Sequence, residues 1–389
     1  MDKSAIENLR TYLQIPSVHP NIDYGKQPCL NFLRKQAEEI GLVFAVYRPL
    51  PNKPHAVLTW LGKEPTLPTV VLNSHMDVVP VFEDLWTHKP FAADVDENGI
   101  IYARGIQDIK TLGIQYLEAI RRLKQRGFQP KRTVHVTFAA DEETGGQEGM
   151  KLFVKSPEFK ALNVGFAMDE CVPSVDGSAT IGYGEKRNWK IKVRCPGQAG
   201  HGSLFVEGTA GEKVQRLLNK FYEFRADEVK FGDLEKVVSV NLTMVEGGLQ
   251  ANVLPPEIFL TFDARVPVER FVAFEALVKK WCEEAGNGLT IEEIVRDDES
   301  PNTKLDASNV YWIAFKATME SLNIPMKPRI FIGNTDGRHF RAAGVPTIGY
   351  SNIFNTENRA HNHDECLSSE EFLRGIERFE KIVPALANA

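Results

Sequence analysis

Three consecutive acids, Asp141, Glu142 and Glu143, interrupt the stretch HVTFAADEETGG at residues 135–146, and two glycines, Gly145 and Gly146, follow. The residues before them (Val134, Val136, Phe138) have the pattern of a strand. Such a strand would deliver the acids to the carboxyl edge of a sheet, where open α/β folds place their ligand sites. Side chains alternate along a strand, so Glu142 and Glu143 would point different ways. That suits one to a metal and the other to a water. An acidic turn that caps the next helix accounts for the same three residues.

Other acids and imidazoles recur at comparable places. His75 and Asp77 are two apart at a strand end in TVVLNSHMDVVP (69–80), so they share a face. Asp77 could then orient the His75 ring, as carboxylates do behind zinc-bound imidazoles. Asp108 follows Arg104-Gly105 and opens a helix, where a simple N-cap is the alternative. Glu170 ends the strand VGFAMDE (164–170) beside Asp169. His361 and His363 stand in AHNHDE, which could equally be a solvated loop. Together His75, Asp108, Glu143, Glu170 and His361 form a mixed imidazole and carboxylate set without thiolate. Such a set suits a borderline-hard divalent metal with open positions, which is zinc in catalytic use. Five protein ligands can hold two ions about 3.5–4 Å apart if one carboxylate bridges them.

The composition sets the frame that must position these groups. The 389 residues, 43% hydrophobic and 25% charged, are enough for two domains. A net charge of −6 gives no basic footprint for nucleic acid or an acidic membrane. The beginning MDKSAIENLR has no apolar core, so no secretory signal is expected. No run approaches the ~20 apolar residues of a membrane span. The five cysteines include no CxxC pair, which argues against a disulfide framework or a thiolate zinc site. Reduced cysteines and a cytoplasmic location are expected.

Strands and helices alternate through the first 185 residues. Ser4 and Glu7 read as a capping box opening a helix that Pro16 ends. An amphipathic helix follows from about Lys26 to Ile40. Strands are expected near 43–48 and 55–61, within 69–80 running into His75 and Asp77, and at 100–103, 134–140 and 164–170, with a long helix from about Asp108. This predicts an α/β fold with a mostly parallel sheet sandwiched by helices. The pattern changes near residue 186. A strand with alternating Trp189, Ile191 and Val193, strands near 237–247, 257–266 and 289–295, and helices near 210–225 and 270–285 predict an inserted four-stranded sheet with two helices on one face. The expected division is a catalytic domain of 1–185 and 300–389, and an inserted domain of 186–299.

NSHMDVVP, ARGIQDIK, AADEETGG, FAMDE, GQAGHGS, TDGR and HNHDE, in this order, resemble the dinuclear-zinc metallopeptidase and amidohydrolase family, which includes aminoacylase, acetylornithine deacetylase and carnosinase relatives. The resemblance spans nearly the whole chain. It implies two Zn2+ per subunit, with Asp108 bridging them, His75 and Glu170 completing one ion, and Glu143 and His361 the other. Glu142 would be the general base, deprotonating a metal-bridging water and returning the proton to the leaving amine. Asp77 would support His75. His361 rather than His363 is the implied ligand, because the family histidine stands four residues before a glutamate, here Glu365. His201 in GQAGHGS matches a histidine that reaches the partner subunit's site and donates to the oxyanion. Arg338 resembles the arginine that pairs with the substrate α-carboxylate, and Asn252 a substrate-contacting asparagine. Taken alone, each of these three could be an ordinary turn or surface residue.

The implied function is hydrolysis of N-acyl-L-amino acids to a carboxylate and a free L-amino acid, by a homodimer joined through the inserted domain. A dipeptidase or an acetylornithine-type deacetylase is the alternative within the family. A metal-free binding or scaffold homologue is the alternative of another class. The sequence departs from the family at Cys171, where close relatives carry Gly, and at Gly202, where Ala is usual. Neither position is an implied ligand.

Overall fold

Four strands rich in β-branched and aromatic residues run parallel in the order Val134–Ala139, Thr69–His75, Val164–Asp169 and Thr347–Tyr350. Leu72 lies opposite both Val136 and Met168, and His75 lies opposite Ala139. The carboxyl ends of three strands therefore come out at one edge, and the loops that follow them meet there. Four further strands extend the sheet to eight. Lys53–Trp60 and Val43–Leu50 flank one side, and Ala179–Glu185 and Met326–Phe331 the other. This computed structural model describes residues 2–19 and 28–389.

The central strands are buried on both faces, as parallel strands covered by helices must be. Val70, Leu72, Val136 and Phe138 enter the larger core, while Val71, Ala139 and Ala167 enter a smaller one on the opposite face. The helix Lys110–Gln125 contributes to the larger core and is buried along most of its length. It crosses the sheet closely at Gly113, where a Cβ would meet the Phe138 ring at 2.4 Å. Truncating Phe138 to Ala would cost about 3–5 kcal/mol and loosen the packing that seats this helix.

The chain divides into two units. One comprises Met1–Gly184, Asn302–Arg329 and Thr335–Ala389; the other comprises Glu185–Pro301 and Ile330–Asn334. The second unit has a four-stranded sheet in the order Ser239–Gly247, Glu257–Val266, Arg187–Pro196, Thr290–Arg296, with all neighbours antiparallel. Its helices Ala210–Phe231 and Phe271–Ala285 share one apolar core with that sheet, built on Trp189, Phe221, Phe262 and Trp281. The Thr209–Glu212 capping box starts the first of these helices and Gly232, at φ 77°, ends it.

Several local expectations change. The first helix already begins at Asp2, so Ser4 and Glu7 lie inside it rather than at its cap. The second helix runs Pro28–Ile40, and its expected start at Lys26 lies outside the described residues. Asp108 does not cap the helix that follows; Ile109 holds that position, with no side-chain capping bond. The strand before the acidic triplet ends at Ala139, and Glu142–Thr144 is a 3-10 turn.

Candidate active site

At the carboxyl edge of the parallel strands, four carboxylates close on two imidazoles. The His75 Nδ1 donates to the main-chain oxygen of Asp77 at 2.8 Å, which turns Nε2 toward the acids. Nε2 then lies 3.2 Å from Asp108 Oδ1, 3.7 Å from Glu170 and 3.9 Å from Glu142. The other oxygen of Asp108 lies 3.0 Å from His361 Nε2, and Glu143 lies 3.1 Å from the same nitrogen. Asp108 thus offers one oxygen to each histidine. The acids and imidazoles anticipated as ligands come together in this cluster, from strands and loops scattered over the chain.

The 3-10 turn, not strand alternation, separates the two adjacent glutamates. Glu142 faces His75, while Glu143 faces His361. The carboxylate of Asp77 makes further contacts beside the one to the His75 ring. It stands 3.5 Å from the His75 ring, and it accepts the backbone N–H of Glu142 at 3.3 Å and of Glu143 at 3.1 Å. Asp77 therefore steadies His75 through its main chain and the glutamate turn through its side chain. Asp141 points away and accepts from the backbone of Glu148 and Gly149, at 2.9 and 2.8 Å, just ahead of the short helix Met150–Phe153.

The electrostatics of the cluster follow from burial and like charge. Burial pushes the carboxyls of Glu142 and Glu170 well above the ordinary range, and neighbouring acids add to the push, although His75 opposes it. Glu143 is raised by burial and by Asp108. Burial would also raise Asp108, but its bonds to His361 and His75 win and hold it low. Bonds to Asp108 and Glu143 lift His361 to about 10. On His75 burial disfavours the charge, yet Asp108, Asp77 and Glu170 together raise it well above its usual value.

These residues fit a divalent cation. His75 with Glu142 and Glu170, and His75 with Asp108 and Glu143, form two groups whose candidate ligand atoms lie within 4.8 Å of one another. The buried Oε1 of Glu143 has no hydrogen-bond partner, as a ligand oxygen aimed at a cation would not. Geometry alone would also leave Glu142 within reach of an ion held beside His75.

Arg338 belongs to the same unit and is 5% exposed. Its guanidinium donates to the Thr335 carbonyl at 3.0 Å and to the Gly145 carbonyl at 2.7 Å. It therefore braces the loop behind Glu142 and Glu143. His363 is exposed on its loop, with its ring edge-on to Phe82.

His201 and Asn252 lie in the second unit, next to each other. The two-residue strand Gly200–His201 pairs with Val253–Leu254, and Gly202 N–H donates to the Asn252 carbonyl at 2.8 Å. Both side chains are exposed. Ser203 N–H donates to His201 Nδ1 at 3.2 Å, which leaves Nε2 as the protonated nitrogen of the neutral ring.

Sequence reading missed the scaffold below the cluster. Thr137 donates to Asn73, and Asn73 to Asp169, in a buried line across three strands. Glu365 and Arg104 are buried beside Asp108. A buried polar residue in a strand gives no periodic signal, so only the motifs around these positions could have flagged them.

A model of peptidase family M20/M25/M40 matches residues 71–385. The chain is 43% identical to mouse Aminoacylase-1, with 97% of this chain and 94% of that protein covered. Its fold is similar to that of a tripeptidase from Staphylococcus aureus, with a TM-score of 0.76 and 18% identity, covering 100% of this chain and 99% of that one. A metallo-carboxypeptidase from Sulfolobus solfataricus has a TM-score of 0.75 and 15% identity, covering 98% and 99%.

Proposed function

This chain belongs to peptidase family M20/M25/M40, and from that premise we propose that it hydrolyses N-acyl-L-amino acids to a carboxylate and a free L-amino acid. One observation carries the reading: Glu142 stands among His75, Asp108, Glu143, Glu170 and His361 in a chain 43% identical to an aminoacylase over 97% of its length. Membership of the family implies a divalent metal, and the ligand groups suit one.

We take the metal to be zinc, two ions per chain. His75 and Glu170 would hold one, Glu143 and His361 the other, and Asp108 would give an oxygen to each. Bound there, the ions would supply Lewis acidity that polarises the amide carbonyl and acidifies a water. Glu142 takes the proton from the attacking water. When the C–N bond breaks, it returns that proton to the leaving nitrogen. Burial and surrounding acids raise its carboxyl, which suits a group that must both accept and release a proton. Asp77 keeps His75 and the Glu142–Glu143 turn in register. Arg338 pairs with the substrate α-carboxylate, and Asn252 contacts the substrate. His201 donates its Nε2–H to the oxyanion in the partner subunit's site.

The homodimer belongs to this proposal. Its support is the edge strand Ser239–Gly247, paired on one side only and carrying exposed Met244 and Val245. The division into a catalytic domain and an inserted dimerising domain is proposed on the same ground. The five free cysteines favour a reducing, cytoplasmic setting. No helix among the described residues is long and apolar enough to cross a membrane.

A hydrolysis panel tests the reading. N-acetyl-methionine should be turned over faster than an unblocked dipeptide, and a chelator should abolish turnover until zinc is restored. A preference for the dipeptide would make the chain a dipeptidase. A protein that binds no zinc and gains nothing from it would not be a metal-dependent hydrolase.

A further inference from the structure

Asp108 and His361 reach the same cluster from loops more than 250 residues apart, and one buried carboxylate joins those loops. Glu365 has no exposed surface. Its Oε2 accepts from Arg104 Nη1 at 2.7 Å and from Gly105 N–H at 3.0 Å. Its Oε1 accepts from Gln107 N–H at 2.6 Å and from Asp108 N–H at 3.2 Å. All four partners are donors, so the carboxylate closes around the turn that ends in Asp108. That turn has no ladder of its own to hold it, and Gly105 sits in it at φ 86°.

Arg104 carries the connection onward. Its second amino group donates to the His361 carbonyl at 3.2 Å. His361 has φ 65°, a left-handed conformation that a non-glycine residue adopts only when its surroundings hold it there. Gln107 ties the same loops from the other side. Its Nε2 donates to the Glu357 and Cys366 carbonyls at 3.1 and 2.8 Å, and its Oε1 accepts from Arg359 N–H at 2.8 Å.

We propose that Glu365 is a positioning residue for the metal centre: with Arg104 it sets Asp108, the carboxylate that would serve both ions, and the imidazole His361 at their working separation. The proposal rests on the metal-dependent function proposed above. It has a sharp chemical consequence. A glutamine at 365 has one acceptor oxygen and one NH2, so in either orientation two of the four donors face another N–H. The sheet and the Lys110–Gln125 helix have their own core, so the loss falls on the two loops.

The test uses the full chain and zinc alone as the probe. Parent, Glu365→Gln and Arg104→Lys are compared for zinc content after dialysis and for affinity by chelator competition. Circular dichroism of the chelated proteins reports the fold. Glu365→Gln should keep the parent spectrum, while its weaker-held zinc should bind about 10–100-fold less tightly. Turnover of N-acetyl-methionine should fall at limiting zinc and recover in part when zinc is raised. Arg104→Lys keeps a cation beside Glu365 but loses the arm to His361, so its affinity should fall between the two. Two zincs at parent affinity in Glu365→Gln would overturn the proposal, whatever the melting temperature does. If Glu365→Gln does not fold, parent affinity in Arg104→Lys overturns it. A parent that binds no zinc would instead sink the functional reading, and this inference with it.

Discussion

The acids and imidazoles of the first unit and the His201–Asn252 ribbon of the second are held in opposite ways. In the first unit the candidate groups are buried or partly buried, apart from the exposed His361, and bonds to backbone fix them: His75 by the Asp77 carbonyl, the glutamate turn by the Asp77 carboxylate, and the Asp108 turn by Glu365. In the second, exposed His201 sits in a two-residue strand and exposed Asn252 in the turn before its partner strand, and the His201 ring bonds to Ser203, two residues on. The difference is physical. Charges gathered in a low-dielectric interior repel one another and must be over-determined to stay in place. A neutral donor that meets its target only in a complex needs a defined tautomer and a free face.

If that contrast is right, substitutions in the two places should fail differently. The largest effect is expected at Glu142. Glu142→Gln should keep both zincs and lose turnover by a factor between about a hundred and ten thousand. Metal analysis beside kinetics checks this, and loss of one zinc would reassign Glu142 as a ligand to the ion at His75. His201→Ala should lower kcat by about a hundredfold or more, yet shift stability by no more than about 0.5 kcal/mol, as exposed positions do. Mixing this variant with Glu142→Gln should restore activity if His201 serves a partner subunit. Verified mixed dimers without recovery would place its action within one chain.

Asp77→Asn should cost about 10–100-fold in zinc affinity, because the amide presents N–H where the glutamate turn needs acceptors. Unchanged affinity with a lowered kcat would make Asp77 a support for Glu142 rather than for the ligands.

The smallest effect concerns stability and pH. His55 and His135 are buried in the first unit, and burial lowers them to about 3 and about 4. Both are neutral when folded, while the unfolded chain takes up a proton near pH 6.5. Their contribution is therefore complete above pH 6.5 and is lost as pH falls toward the folded values. Each loses about 1.4 kcal/mol per pH unit across that window. His55 stacks on Phe153 with 4.0 Å between ring centroids, so His55→Phe should preserve the packing and flatten the acid slope. Denaturant melts of parent and variant between pH 7 and 5 give the comparison. Parallel slopes would contradict it.

Much of the first unit was legible because strand and helix patterns are local. The three runs could be read to within a few residues of their ends at His75, Ala139 and Asp169, and their parallel alignment brings those ends to one edge. The inserted sheet and its two helices were legible for the same reason. Helix starts were less so. Ser4–Glu7 has the capping pattern but lies within a helix, and Asp108 is a capping residue type that stands one residue ahead of the cap and faces two histidines.

The sequence alone determined the chemistry on offer: imidazoles and carboxylates without thiolates, in a series of motifs that marks a family of metal-dependent hydrolases. Tertiary structure decided how that chemistry is arranged. It turned Glu142 and Glu143 apart with a 3-10 turn, gave Asp77 its grip through backbone N–H groups, and set Glu365 against Arg104 across 261 residues of chain. Periodicity encodes which face of an element is apolar. It carries no information about which distant loop will supply the partner of a buried charge, because that depends on how all the elements pack.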